Sequence, residues 1–129
     1  MNQIINEIST GHTSIKLRSD GLIIVHSSND YHYDVKDIKE NHEAIKKLAN
    51  GKKALVLTFS GEHSNITKEA LDYIAKGPHI SFVKAEAFII HSLAHRLLAR
   101  FYVVIKKTVV PANYFTDEAK AIKWLESFE

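Results

Sequence analysis

The segment Ala54–Phe59 constrains the fold more than any other part of the sequence. Its residues, Ala-Leu-Val-Leu-Thr-Phe, form a nearly continuous apolar run of strand length. A strand with apolar side chains at successive positions is buried on both faces, which is typical of a parallel sheet covered by helices. The run therefore predicts an α/β domain with a central, helix-covered sheet.

A hairpin and a helix are predicted before this strand. Thr13–Arg18 alternates apolar and polar residues, Leu22–His26 is an apolar β-branched run, and Ser19-Asp20-Gly21 between them is a turn signal. Asp37 and Glu40 then stand at the spacing of a capping box, with Asp in place of Ser or Thr. Because apolar residues at helical spacing follow, we predict that a helix begins there.

Strands and helices alternate from this point to the C-terminus. Apolar strands are predicted over Ala85–Ile90 and over Val109–Phe115, the second at a sheet edge because Pro111 cannot donate to a strand ladder. Such alternation with short connections predicts a single mixed sheet covered by about four helices. Three hydroxyl residues precede segments with helical spacing and are predicted to cap their N-termini: Thr67, Ser92 and Thr116.

The predicted core follows from these elements. The helix that begins after Ser92 carries an apolar stripe, which is expected to face the sheet, at Leu93, Leu97, Phe101, Val104 and Ile105. The residues predicted to be buried lie on strands or on inner helix stripes: Ile24, Leu55, Leu57, Ile89, Leu97, Phe101, Phe115, Ile122 and Leu125.

Length and composition exclude several classes of protein. The 129 residues, 45% of them hydrophobic, predict one ordered domain over residues 1–129. A net charge of +2, spread evenly along the chain, provides no basic face for nucleic acid. The absence of cysteine excludes disulfides and a cysteine nucleophile. Because no long apolar run and no signal-peptide pattern are present, we predict a cytoplasmic protein without a transmembrane segment.

The C-terminal third resembles the STAS-like/SEC14-like group of small bacterial proteins, relatives of the anti-sigma-factor antagonists. The resemblance is carried by Ala87–Phe101, an apolar strand that runs into a helix, by Pro111–Glu118, and by Ala121-Ile122-Lys123-Trp124-Leu125. The preceding elements agree with that group in their order, so the resemblance covers most of the chain. It implies a STAS-like fold, and these motifs specify architecture rather than chemistry.

The resemblance implies a non-enzymatic regulatory module that binds a protein partner, such as a kinase or a sigma-factor regulator. In phosphorylated antagonists, a Ser or Thr at the start of the second helix switches binding. The matching loop here contains the hydroxyl residues Ser60, Ser64 and Thr67, and it lacks the Asp-Ser pair of those antagonists. The SEC14-like side of the group implies an alternative, a carrier of a small apolar ligand or lipid, and a small enzyme is ranked third.

Catalytic and metal-binding patterns are not supported by the sequence. His91 and His95 are four residues apart, but Ser92 begins a helix between them, so the spacing does not place both on one helix face. The Ser60-Gly61 turn does not fit the Gly-x-Ser-x-Gly pattern of a nucleophile elbow. The sequence contains neither Gly-x-Gly-x-x-Gly, the dinucleotide-binding motif, nor Gly-x-x-x-x-Gly-Lys, the P-loop motif. We therefore predict no catalytic residues, no cofactor and no structural metal.

Two surface features remain as candidate contacts. Arg96 and Arg100 lie one helical turn apart, and their guanidinium groups suit a carboxylate-rich partner or an anionic headgroup. The apolar Val103–Val110 region exceeds what a terminal edge requires, which predicts a homodimer.

Overall fold

The computed structural model describes residues 2–129, so Met1 of the predicted domain lies outside the described residues. A π-helical segment, Phe101–Lys106, continues the third α-helix. Within residues 2–129 the other elements are β1 Ile4–Ser9, β2 Thr13–Arg18, β3 Ile23–Ser27, β4 His32–Tyr33, α1 Val35–Ala49, β5 Ala54–Phe59, β6 Asn65–Ile66, α2 Lys68–Ala75, β7 Val83–Ile89, α3 Leu93–Arg100, β8 Ala112–Phe115 and α4 Glu118–Glu126.

Six strands form one mixed sheet in the order β1-β2-β3-β5-β7-β8. The first three strands are antiparallel, and the pairs from β3 to β8 are parallel. The β2–β3 hairpin turns at Gly21, which has a φ of 92°, a conformation that favours glycine. The remaining strands, β4 and β6, form a small parallel pair outside this sheet. The predicted α/β fold with an N-terminal hairpin is confirmed.

Helices cover both faces of the sheet. On one face α1 packs against β1, β2 and β3, and α2 packs against α1. On the other face α4 packs against β5, β7 and β8. The two faces receive alternate residues of β5, so that Val56 belongs to the cluster around α1 and Leu57 to the cluster around α4. This alternation is why the Ala54–Phe59 run is apolar at successive positions.

Two predicted caps are confirmed and two predicted helix starts are wrong. The Thr67 and Ser92 hydroxyls accept backbone hydrogen bonds at the starts of α2 and α3. The first helix begins at Val35 because Asp34, with Asp37 as its reciprocal partner, forms the capping box. In α4 the Asp117 carboxylate caps the helix in place of Thr116 by accepting from the Ala119 backbone amide.

The two edge strands differ from the sequence-based expectation. Strand β1 was not predicted, and it pairs with β2 while most of its side chains stay exposed. An edge strand without a buried face carries no strict alternation, so its pattern is weak. Strand β8 starts at Ala112 rather than at Val109, because the Val109 backbone amide donates to the carbonyl of Ala75 instead of joining the sheet.

The predicted burial is confirmed for three residues, is only partial for four, and is wrong for the two that lie along α3 and its continuation. Leu57, Ile89 and Leu125 are buried. Leu97 and Phe101 were predicted to be buried but are 61% and 48% exposed. The reason is that this helical segment has apolar residues on two faces, and the face that turns inward is a different one. The remaining members of the predicted set are half-buried against the α4 cluster: Ile24, Leu55, Phe115 and Ile122.

Candidate functional site

A cavity of about 200 Å³ lies between the sheet and the helices α1, α2 and α3. Its sheet side is formed by residues that alternate along adjacent strands, including Val56 and Thr58 of β5 and Glu86 and Phe88 of β7. The cavity extends to the carboxyl ends of the parallel strands, where Ser60 and Ile90 line it. Ligands of open α/β sheets bind at this end of the strands. The cavity is therefore the first candidate binding site.

The helical side of the cavity comes from the inner face of α3 and its π-helical continuation. We define this inner face by His95, Ala99, Tyr102 and Val103, all of which line the cavity. π-helical turns within α-helices are rare in proteins. Those that do occur are frequently found at functional sites. The Lys107 residue that ends the segment has a positive φ of 61°.

A charged anchor outside the cavity holds the π-helical segment against α2. The Asp72 carboxylate accepts hydrogen bonds from the Tyr102 hydroxyl at 2.7 Å and from the ammonium groups of Lys106 and Lys68. These donors, with Lys106 the strongest, hold the pKa of Asp72 well below its usual range. Burial and the Asp72 carboxylate raise the pKa of Tyr102 to about 12. The segment therefore stays in place through polar contacts as well as packing.

Three ionisable side chains cluster beside the cavity. His79 and Glu86 are both buried, and the His79 Nε2 lies 2.6 Å from the Glu86 Oε2. The ring of His42 stacks on that of His79, with 4.3 Å between centroids. Burial, with a smaller effect of His79, lowers the pKa of His42 to about 3. His42 and Glu86 line the cavity.

Sequence reasoning missed this cluster, although one signal was present. Glu86 interrupts the apolar strand Ala85–Ile90, and a charged residue in a buried strand requires a partner. His79 follows Gly77-Pro78 at a helix end, where the sequence indicates only a turn. His42 was treated as one more position of a helix stripe. The pairing depends on a contact between separate elements, which no local pattern reveals.

The loop predicted to bind a partner lies at the carboxyl end of β5. Ser60 is exposed, whereas Ser64 is buried and its hydroxyl donates to the carbonyl of Gly61 at 2.8 Å. Thr67 caps α2, and its hydroxyl also donates to the Asp34 carboxylate at 2.9 Å. Two of the three hydroxyls are thus engaged inside the fold.

The loop and α3 are neighbours. The His95 ring nitrogen Nε2 lies 3.4 Å from the side-chain oxygen of Asn65. Ser60, Ser64 and Asn65 also line the cavity together with His95. The predicted contact loop and the predicted arginine helix therefore form one continuous region at this end of the sheet.

The predicted arginines differ in exposure. Arg100 is exposed, whereas Arg96 is half-buried and its Nε is buried without a hydrogen-bond partner within residues 2–129. Elsewhere on the surface, His63 lies beside the carboxylate of Glu62. No group of three or more histidine and carboxylate side chains is arranged to hold a metal ion in the described part of the chain.

The second candidate site is a surface. We define the outer face of α3 by the exposed apolar side chains that follow helical spacing along α3 and the π-helical segment. Their exposure reaches 69% at Ile105. Groups of exposed apolar side chains are frequent at interaction sites. The members of the outer face are Leu93, Leu97, Phe101, Val104 and Ile105.

The charge around the outer face is entirely positive along the chain. Arg100, Lys106 and Lys107 are exposed within or beside it. Residues 87–116 contain no Asp or Glu. The face therefore combines apolar contact area with basic groups, and it suits a partner with acidic groups around an apolar centre.

The order of strands and the covering helices define a class of fold that solved structures share. The chain is similar to the crystal structure of an uncharacterised DUF3478-family protein with a SpoIIAA-like fold from Shewanella loihica PV-4. The two share 14% sequence identity and a TM-score of 0.57, over 97% of this chain and 95% of that chain. This likeness confirms the predicted STAS-like fold.

The chain belongs to the DUF7793 family, described as a domain of unknown function, whose model matches residues 15–129. No curated protein matches the sequence. No helix in the described residues is long and apolar enough to cross a membrane.

Proposed function

We propose that this domain is a non-enzymatic interaction module that binds a protein partner through the outer face of α3. The exposure of that face carries the proposal. The helical spacing of its large apolar side chains predicted that they would be buried against the sheet. In the structure they are exposed to solvent. Burial of apolar side chains at an interface supplies binding energy in proportion to their area.

The charge of the region specifies the chemistry of the partner. Arg100 and Lys107 are exposed within or beside the outer face, Lys106 beside them is paired with Asp72, and no acidic residue lies in residues 87–116. We infer a partner whose contact surface has an apolar centre and acidic groups at its rim, because complementary charge increases association rate and specificity. The resemblance implies a kinase or a sigma-factor regulator as the partner. A protein of this class fits the description if its contact surface has an apolar centre and an acidic rim.

The Ser60–Thr67 loop extends the proposed contact region. Asn65 of the loop contacts His95 at the start of α3, and we infer that a partner large enough to cover the outer face extends around this end of the helix to the loop. Ser60 is the exposed hydroxyl of the three. Phosphorylation of Ser64 requires the loop to open, because that side chain is buried. The proposal therefore assigns partner contact to the loop and does not depend on a phosphorylation switch.

A lipid carrier is the alternative from the SEC14-like side of the resemblance. The cavity between the sheet and the helices favours ligand binding. Its volume of about 200 Å³ limits the size of the ligand it can hold. Pockets for drug-sized ligands span about 300–1,000 Å³. A whole lipid is therefore less well supported than a protein partner on the outer face.

The test compares two single substitutions that add the same charge. Leu97→Glu places a carboxylate in the centre of the outer face, and Ile5→Glu does so at an exposed position on β1. Each variant is used to capture proteins from a lysate of the native host, and captured proteins are identified by mass spectrometry. We expect one protein that wild type and Ile5→Glu retain and that Leu97→Glu loses.

Two further measurements distinguish the proposed protein partner from two other occupants of the outer face, a second copy of the chain and an anionic membrane. Light scattering detects a homodimer against the 14.6 kDa chain, and sedimentation with phosphatidylglycerol vesicles detects binding to an anionic membrane. If Leu97→Glu abolishes self-association or vesicle binding and leaves protein capture unchanged, the outer face binds that occupant and the proposal is wrong. Equal capture by all three proteins also contradicts it.

A further inference from the structure

The cavity has a charge asymmetry that the interaction proposal does not use. Glu86 is the one carboxylate that lines it, and within residues 2–129 no lysine or arginine lines it. The rest of the lining is mostly apolar, with rings contributed by Phe88 and Tyr114. A carboxylate in such surroundings favours a ligand with a positive charge or a strong hydrogen-bond donor.

The Glu86 carboxylate is held in place by its contact with a buried histidine. Its Oε2 lies 2.6 Å from the Nε2 of His79, whose side chain is fully buried. A carboxylate has about four lone-pair positions, and His79 is its one hydrogen-bonded side chain in the described part of the protein. The fixed carboxylate therefore retains acceptor capacity toward the cavity at no cost of reorganisation.

The neighbouring histidine adds no opposing charge at neutral pH. Burial lowers the pKa of His42 to about 3, so its ring is neutral at pH 7. The ring remains stacked on His79 and Tyr73, and its Nδ1 is buried without a partner within residues 2–129. His42 therefore does not oppose the charge of Glu86 on the cavity wall.

We propose that the cavity binds a small arylalkylamine, a single aromatic ring with a short amine-bearing chain, with its ring among the apolar side chains and its ammonium N–H groups donating to Glu86. The size follows from the volume of about 200 Å³, since an apolar cavity of about 150 Å³ accepts benzene. A short amine-bearing chain on the ring fills the volume that remains beyond what benzene occupies. Lipids exceed this volume, and carboxylates or phosphates meet Glu86 without a compensating cation.

The experiment uses three probes of similar shape that differ in charge: benzylamine, toluene and benzoate. Binding of each to the full chain is followed by protein-detected NMR titration. We expect benzylamine to bind about tenfold more tightly than toluene, because it adds a charge-assisted hydrogen bond, and we expect benzoate not to bind. The shifted resonances should belong to cavity residues such as Thr58, Phe88 and Ala99.

Three variants locate the interaction. Glu86→Gln should remove the preference for benzylamine over toluene, while Glu69→Gln, the same change at an exposed position of α2, should retain it. Ala99→Phe fills the cavity from α3 without touching the His79–Glu86 pair and should abolish binding of both probes. This third variant keeps the test decisive if Glu86→Gln does not fold.

Several results would overturn the proposal. Failure of both benzylamine and toluene to bind shows that the cavity is not a site for a molecule of this size. Equal affinities of benzylamine and benzoate show that Glu86 does not select the ligand. Unchanged binding in Ala99→Phe shows that the probes bind elsewhere.

Discussion

The two faces of the sheet are packed in different ways. On the α4 face, Leu57, Ile89 and Leu125 belong to one buried apolar cluster. On the opposite face an apolar cluster packs against α1, but beneath α3 a cavity remains, an ionisable cluster lines or adjoins it, and α3 exposes large apolar side chains. The same strand, β5, contributes to both faces.

This difference separates stability from binding within one small sheet. A closely packed apolar face is costly to change, because each removed methylene leaves a cavity. A face with a cavity and unpaired polar atoms is less stable locally, and binding sites are drawn from such regions. We expect the apolar clusters around α4 and α1 to determine the unfolding free energy, and the part of the opposite face beneath α3 to determine what the protein binds.

The largest effect is expected on the α4 face. Leu57→Ala removes a fully buried side chain from the centre of β5 and should lower the free energy of unfolding by about 2–5 kcal/mol. Urea unfolding followed by circular dichroism measures the change. An unchanged midpoint would show that β5 does not contribute to the core on that face.

An intermediate effect is expected on the α3 face and depends on pH. The pKa of His42 is about 3 in the folded protein and about 6.5 when unfolded. Between these values the unfolded chain binds a proton that the folded chain does not, so stability falls as the pH decreases, by at most about 1.4 kcal/mol per pH unit. His42→Phe keeps the ring and removes this dependence.

The measurement is the urea midpoint of both proteins from pH 7 to pH 5, above the range where most carboxylates titrate. Other histidines contribute to both profiles, and His26 also has a pKa below its usual value because of burial. The informative quantity is therefore the difference between the two profiles. Parallel profiles would show that His42 accepts a proton in the folded protein.

The smallest effect is expected on the outer face of α3. Leu97→Ala removes the same number of carbon atoms as Leu57→Ala, but its side chain is 61% exposed. We expect a change within about 0.5 kcal/mol, as for surface substitutions in general. Unfolding of the two variants side by side tests the comparison directly, and a large loss in Leu97→Ala would place that side chain in the core.

The sequence predicted the buried strand β5, the burial of Leu125 and two helix caps, because these patterns are local. The residues of β5 alternate between two faces, and Leu125 follows the helical spacing of α4. Thr67 and Ser92 were correctly predicted as caps because the chemistry of a cap lies within one turn. In α1 the helix begins earlier than predicted, because the Asp34 carboxylate caps it with Asp37 as its reciprocal partner and also accepts a hydrogen bond from Thr67 of another element.

The α3 face was predicted less well because its decisive contacts are non-local. The helix has one apolar stripe through Leu97 and a second through Ala99 and Val103, and periodicity alone does not say which one turns inward. The inward choice is coupled to Tyr102, whose hydroxyl bonds to Asp72 from a different helix. The His79–Glu86 pair likewise joins a loop to a strand.

The inner and outer faces of α3 belong to a single helical segment, so binding on one side is thermodynamically linked to binding on the other wherever both depend on the position of the helix. The proposed cavity ligand would contact the inner face, and the proposed partner would contact the outer face. If an occupant of the cavity changes the affinity of the partner by a given factor, the partner changes the affinity of that occupant by the same factor. The sign of this coupling is set by which position of the helix each of them prefers.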